Sequence, residues 1–123
     1  MKNECLPKTG GTLEHGFSNV SKEVTSSATV EFVNYTIPKT GLKILRFQHC
    51  PMQTSTASDN YVVNVRLNGL LILSDQKQTR WYVSPFIVPF YANKGDTLKI
   101  ECSVIGATIS NMTLQAIKIY NID

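Results

Sequence analysis

From Phe86 onward, apolar and polar residues alternate with a period of two. Phe86, Val88 and Phe90 share one parity, Asn93-Lys94-Gly95-Asp96 turns the chain, and Leu98, Ile100, Cys102 and Val104 then alternate with Thr97, Lys99, Glu101 and Ser103. Such a period sends every second side chain to the same side, so each segment predicts a strand with one buried face. Between Met112 and Tyr120 the pattern changes: Met112, Leu114 and Ala116 hold one parity, Ile117 and Ile119 the other. A strand that is apolar on both faces needs two covers, the second expected from another subunit.

The remaining chain follows the same logic. In Glu23 to Ile37, Val30 and Phe32 share one parity and Val33, Tyr35 and Ile37 the other, a switch that predicts a bulge. Pro38-Lys39-Thr40-Gly41 has turn chemistry, and Leu42 to Gln48 predicts an interior strand, with Leu42 and Ile44 on one face and Leu45 and Phe47 on the other. His49 to Asn60 reads as a polar loop of twelve residues, long enough to be a functional candidate. Tyr61, Val63, Val65 and Leu67 alternate with Val62, Asn64 and Arg66 and meet Leu70 to Leu73 through Asn68-Gly69, a hairpin signal because both turn residues accept positive φ. Asp75 to Arg80 is a second polar connection, leading to Trp81-Tyr82. No segment has a capped helical period.

The expected fold is therefore all-β: a single antiparallel two-sheet sandwich of roughly seven or eight strands. A jelly roll is preferred to an immunoglobulin-type sandwich because the Cys–Trp–Cys spacing of the latter is absent. Residues 1–20, with Gly10, Gly11 and Gly16 and little periodicity, read as an extended N-terminal arm, and residues 21–123 as the head.

At 123 residues, with 42% hydrophobic and 17% charged, the chain is sized and composed for one globular domain. The net charge of +3 is scattered singly, without basic runs interleaved with aromatics, so no nucleic-acid partner is expected. The start lacks the apolar core of a signal peptide, and no apolar run approaches the ~18 residues of a membrane span, so a soluble product without membrane insertion is expected. Cys5, Cys50 and Cys102 are odd in number with no close pair; Cys102 reads as a small buried hydrophobe and no disulfide framework is expected.

Catalytic chemistry is not apparent. No nucleophile with a base, carboxylate pair, phosphate loop or cofactor fingerprint occurs, so neither an enzyme nor a cofactor is expected. Cys5, His15, His49 and Cys50 match no zinc spacing, and Asp59, Asp75 and Asp96 stand singly in turns rather than in a calcium loop. Trp81 and Tyr82 are candidates for an aromatic platform under a sugar ring, with polar residues at 53–60 and 74–79 supplying hydrogen bonds; the alternative is that Trp81 covers a sheet end or a subunit seam. The sequons at Asn19, Asn34 and Asn111 carry no weight without a secretory leader.

Two resemblances add to this. Phe90-Tyr91, then Lys94 to Ile100, then Leu114 to Tyr120 resemble the closing part of trimeric jelly-roll heads of the complement and tumour-necrosis-factor type and of viral fibre knobs. The resemblance implies a homotrimer with Met112, Leu114, Ala116, Ile117 and Ile119 at or near a threefold seam. Leu6-Pro7-Lys8-Thr9-Gly10-Gly11-Thr12-Leu13 looks like the Leu-Pro-x-x-Gly-Gly-Thr-Leu segment of bacteriophage tail-fibre and head-fibre proteins, although that pattern continues with Thr-Gly where this chain has Glu14-His15-Gly16. It implies a virion structural protein, a capsid-decoration or short fibre protein made soluble in the host cytoplasm and displayed on the virion surface. Leu6, Pro7, Gly10, Gly11 and Leu13 would anchor it to capsid or tail proteins, and a host surface glycan is the alternative partner for the head. LPKTG also spells a sortase signal, but no apolar segment and basic tail follow it.

Overall fold

The computed structural model describes residues 11–25, 28–52, 60–78, 84–105 and 109–122. These residues form nine strands, β1 (Thr12–Gly16), β2 (Val20–Val24), β3 (Val30–Thr36), β4 (Gly41–Met52), β5 (Asn60–Leu67), β6 (Leu70–Gln78), β7 (Ser84–Ala92), β8 (Thr97–Ile105) and β9 (Ile109–Asn121). One sheet runs β1-β9-β4-β7, with β2 also on β9; the other runs β3-β8-β5-β6, and every pairing is antiparallel. The order β2-β9-β4-β7 facing β3-β8-β5-β6 is that of an eight-stranded jelly roll, with β1 as an addition. The expected all-β sandwich of jelly-roll type is thus the observed one.

The turns bring these strands together as their residues dictate. Asn68 and Gly69 have φ of 52° and 82°, the two positive values a tight hairpin requires. Gly95, at φ 94°, occupies the third position of the turn closed by the Asp96 amide donating to the Asn93 carbonyl at 3.0 Å. The inward rows Val88-Phe90, Leu98-Ile100-Cys102-Val104 and Tyr61-Val63-Val65 are all buried, as their alternation predicts. Burial pushes the Cys102 thiol up to about 12, which makes it a core hydrophobe rather than a nucleophile.

Both parity switches are bulges. In β3, Glu31 faces Glu101 but Val33 faces Ile100, and the extra residue lets Phe32 and Val33 both be buried. In β9, Gln115 lies opposite Gln48 while Lys118 lies opposite Arg46, so Ala116 and Ile117 together face Phe47. Ala116 takes the left-handed conformation, φ 51°, and parity is reset behind it. Met112, Leu114, Ile117 and Ile119 are consequently all 0% exposed within one chain, while Ala116 is exposed. The trimer seam expected at these residues is corrected on that point: four of them belong to the chain's own core, and the second cover that a regular strand would need is not needed.

The arm boundary also moves. β1 pairs with residues 118–121 of β9 and β2 with residues 109–114, so Thr12 onward is part of the sandwich rather than of an arm ending at residue 20. Gly11, at φ 63°, presses against the last strand, where a Cβ would sit 1.7 Å from the Asn121 carbonyl oxygen. Between the two sheets, Glu14 of β1 ion-pairs with the fully buried Lys43 of β4 and accepts the Tyr35 hydroxyl at 2.8 Å, while Lys43 also donates to Asn121 Oδ1 at 2.7 Å. Burial, then the bond to Glu14 and its negative charge, hold the Tyr35 phenol well above its ordinary range. Periodicity gave no hint of this, because what ties β1 down is a polar cluster.

Candidate functional site

Polar residues expected in one place fall elsewhere. His49, expected at the start of a loop, lies on β4, which continues to Met52. Its ring is 0% exposed, and Nδ1 lies 2.7 Å from the Tyr61 hydroxyl across the two sheets, with Phe47 and Phe86 around it. Nε2 faces Asp75 Oδ2 of β6 at 3.9 Å. These residues knit the two sheets near the end where β4, β6 and β8 finish. Cys50, next to His49, points to the other side of the strand, as neighbours in a strand must. Among the described residues no group of three or more His, Cys, Asp and Glu side chains is arranged to hold a metal ion.

Trp81 and Tyr82, the expected sugar platform, lie outside the described residues, as do Leu6, Pro7 and Gly10 of the expected anchor. Of that anchor, Gly11 has the packing role given above and Leu13 is exposed on β1.

What the structure builds instead is a groove on the outer face of the first sheet. Its origin is the β9 bulge. Because Ala116 replaces a regular outward residue with a small one, and the strand bends there, a depression of about 160 Å3 opens between β9, β4 and β7. Arg46 and Gln48 from β4, Pro85 and Ile87 from β7, and Lys118 and Tyr120 from β9 line it. Ile87 is 60% exposed, an apolar wall left open to solvent. Arg46 lies over the Tyr120 ring with its guanidinium carbon 6.0 Å from the ring centre, which restrains both side chains.

The bulge is held from behind by the chain's own N-terminal segment. The connection between β1 and β2 spans it: the Phe17 amide donates to the Ile117 carbonyl at 2.9 Å, and Asn19 Oδ1 accepts the Ala116 amide at 3.3 Å. An alanine in the left-handed region costs about 1 kcal/mol or more, and such strain collects where a site needs a particular backbone shape. Chemically, the groove offers an aromatic face, apolar walls, an amide and two cations, a set suited to binding.

The sequence signals were incomplete here. Ile87 sits at an outward position of its predicted strand, whereas Arg46 and Tyr120 lie in strands expected to be covered on both faces, and nothing in the alternation says which residues share a depression. The parity switch at Ala116 and Ile117 was the available signal.

No family model and no curated protein matches the chain. Among solved structures, it is similar to part of latent PorU from Porphyromonas gingivalis, with 10% identity over 94% of this chain, 14% of that one, and a TM-score of 0.47. A family 35 carbohydrate binding module from Clostridium thermocellum aligns over 83% of this chain and 91% of its own at 13% identity and a TM-score of 0.42. A beta-glucosidase from Paenibacillus barengoltzii aligns at 17% identity over 76% of this chain and 10% of its own, with a TM-score of 0.43. At that level of similarity none of them carries a functional inference.

Proposed function

We propose that this jelly roll is a saccharide-recognition module, without catalytic activity, displayed on a bacteriophage particle. The observation that supports it is the bulge-formed groove, in which Tyr120 and Ile87 offer apolar surface for a sugar ring while Gln48 and Arg46 offer hydrogen bonds. Sugars present apolar C–H faces and hydroxyl edges, and shallow sites combining aromatic and planar polar side chains suit both. Display on a virion rests on the LPKTGGTL resemblance, with the segment ahead of β1 as the link to a capsid or tail protein. A homotrimer enters only through the resemblance to trimeric heads.

Glycan-array binding by the full chain, compared with Tyr120→Ala, tests the ligand. Loss of signal in the variant is expected; absence of any signal from the parent chain, or equal signals from both, rejects the assignment. Deleting residues 1–10 tests the anchor, because β1 remains: particle association should disappear while the circular-dichroism spectrum is unchanged. Light scattering tests the trimer, and a monodisperse monomer removes it.

A further inference from the structure

Two like charges face each other in the groove. Arg46 and Lys118 are direct cross-strand partners on β4 and β9, where side chains on one face stand about 5 Å apart. Like charges so placed repel and destabilise the pair, and a nearby carboxylate can offset this. The second sheet does so. There Arg66 and Lys99 are cross-strand partners, and each is compensated: Arg66 Nε binds Glu101 Oε1 at 2.9 Å, and Lys99 Nζ lies 3.6 Å from Glu31 Oε1. Among the described residues neither Arg46 nor Lys118 has an acidic partner within 4.0 Å. The same juxtaposition thus occurs twice in one domain, balanced on one face and left positive on the other, and the positive one lines the groove.

We infer that the groove takes an acidic saccharide whose carboxylate bridges Arg46 and Lys118. This deepens the saccharide assignment above and rests on it. The guanidinium presents a planar fork that matches a carboxylate, and its place over Tyr120 holds that fork before a ligand arrives. Lys118 supplies a second, compact charge from the opposite strand. A carboxylate between them replaces the repulsion by two attractions, a gain a neutral sugar cannot make. The sugar ring carrying that carboxylate would then lie along Ile87 and Pro85, with Gln48 reaching a hydroxyl.

The test uses the full chain on a glycan array holding neutral glycans together with uronic-acid, sialic-acid and sulfated ones, at two salt concentrations. Binding is expected to concentrate on carboxylated glycans, to weaken about ten- to hundredfold in Arg46→Gln and in Lys118→Gln, and to fall at high salt. Methyl esterification of the bound glycan should abolish it. Both variants change exposed or half-exposed outward positions, and an unchanged thermal transition verifies their fold. If neutral glycans bind and the two variants retain them, the acidic ligand is wrong while the saccharide assignment stands. Binding confined to sulfated glycans likewise overturns the carboxylate. If no glycan binds, both fall together.

Discussion

Asn19 Oδ1 accepts the backbone amide of Ala116 at 3.3 Å, linking the connection between β1 and β2 to the one left-handed residue of β9. The two residues lie 97 positions apart in the chain. Their contact stands where three features meet: the bulge that returns Ile117 and Ile119 to the core, the interruption that divides one edge into β1 and β2, and the groove on the outer face.

Substitution at Ala116 should separate strain from shape. Glycine relieves the left-handed strain but loosens the unfolded chain, so Ala116→Gly is expected to be neutral or stabilising by up to about 1 kcal/mol. A β-branched side chain is a genuine outlier in this region, and Ala116→Val should destabilise by about 2 kcal/mol. Urea denaturation of both variants measures the difference, and equal effects would show that the residue is not held at positive φ.

The buried pair of Lys43 and Glu14 should behave as a unit. Removing either charge leaves the other uncompensated inside the sandwich, so Lys43→Met and Glu14→Leu are each expected to cost about 3 to 5 kcal/mol. The double change to Met and Leu should cost less than the sum of the two single losses, because no unpaired charge then remains, while the Tyr35 hydroxyl and Asn121 Oδ1 still lose their partners. A double-mutant cycle on chemical denaturation tests this; additive losses would contradict the coupling.

Gly11→Ala introduces a Cβ where the Asn121 carbonyl oxygen stands, in a backbone conformation that disfavours it. β1 is expected to loosen while the remaining strands hold. Hydrogen exchange at residues 12–16 should rise well above that of β5 and β8, with little change in the main thermal transition.

Acid should expose the role of Asp96. The Asn68 side chain and then the Asn93 amide hold its carboxyl below the usual aspartate range. Its folded value thus lies under its unfolded value, so the stability it gives is present above the unfolded pKa and lost as pH falls through the folded one. Wild type should melt higher than Asp96→Asn near neutrality, and the gap should narrow as the pH falls below the ordinary aspartate range. A gap that persists at low pH would mean the turn does not depend on the charge.

Much of this protein was legible in its residues. The inward rows of β5, β7 and β8, the Asn68-Gly69 hairpin and the turn at Gly95 are local statements, since a strand's period and a turn's φ are set by adjacent residues. The β3 and β9 parity switches were equally visible, but the first was read as a bulge and the second as an intersubunit face. Both are bulges, and only pairing with β4 decides that for β9. Outward rows were less legible: Leu42 and Ile44 read as interior, yet Leu42 is exposed and Ile44 half-buried.

By itself, then, the sequence determined the all-β class, the two-sheet sandwich and most of its core, because hydrophobic alternation depends only on the chain's own order. Tertiary structure alone decided three things: that residues 12–24 complete the sheet, that Lys43 and Glu14 meet between the two sheets, and that Arg46 and Lys118 face each other across an open groove. Each depends on register between strands distant in the chain, and a shift of one residue would send every side chain involved to the other face.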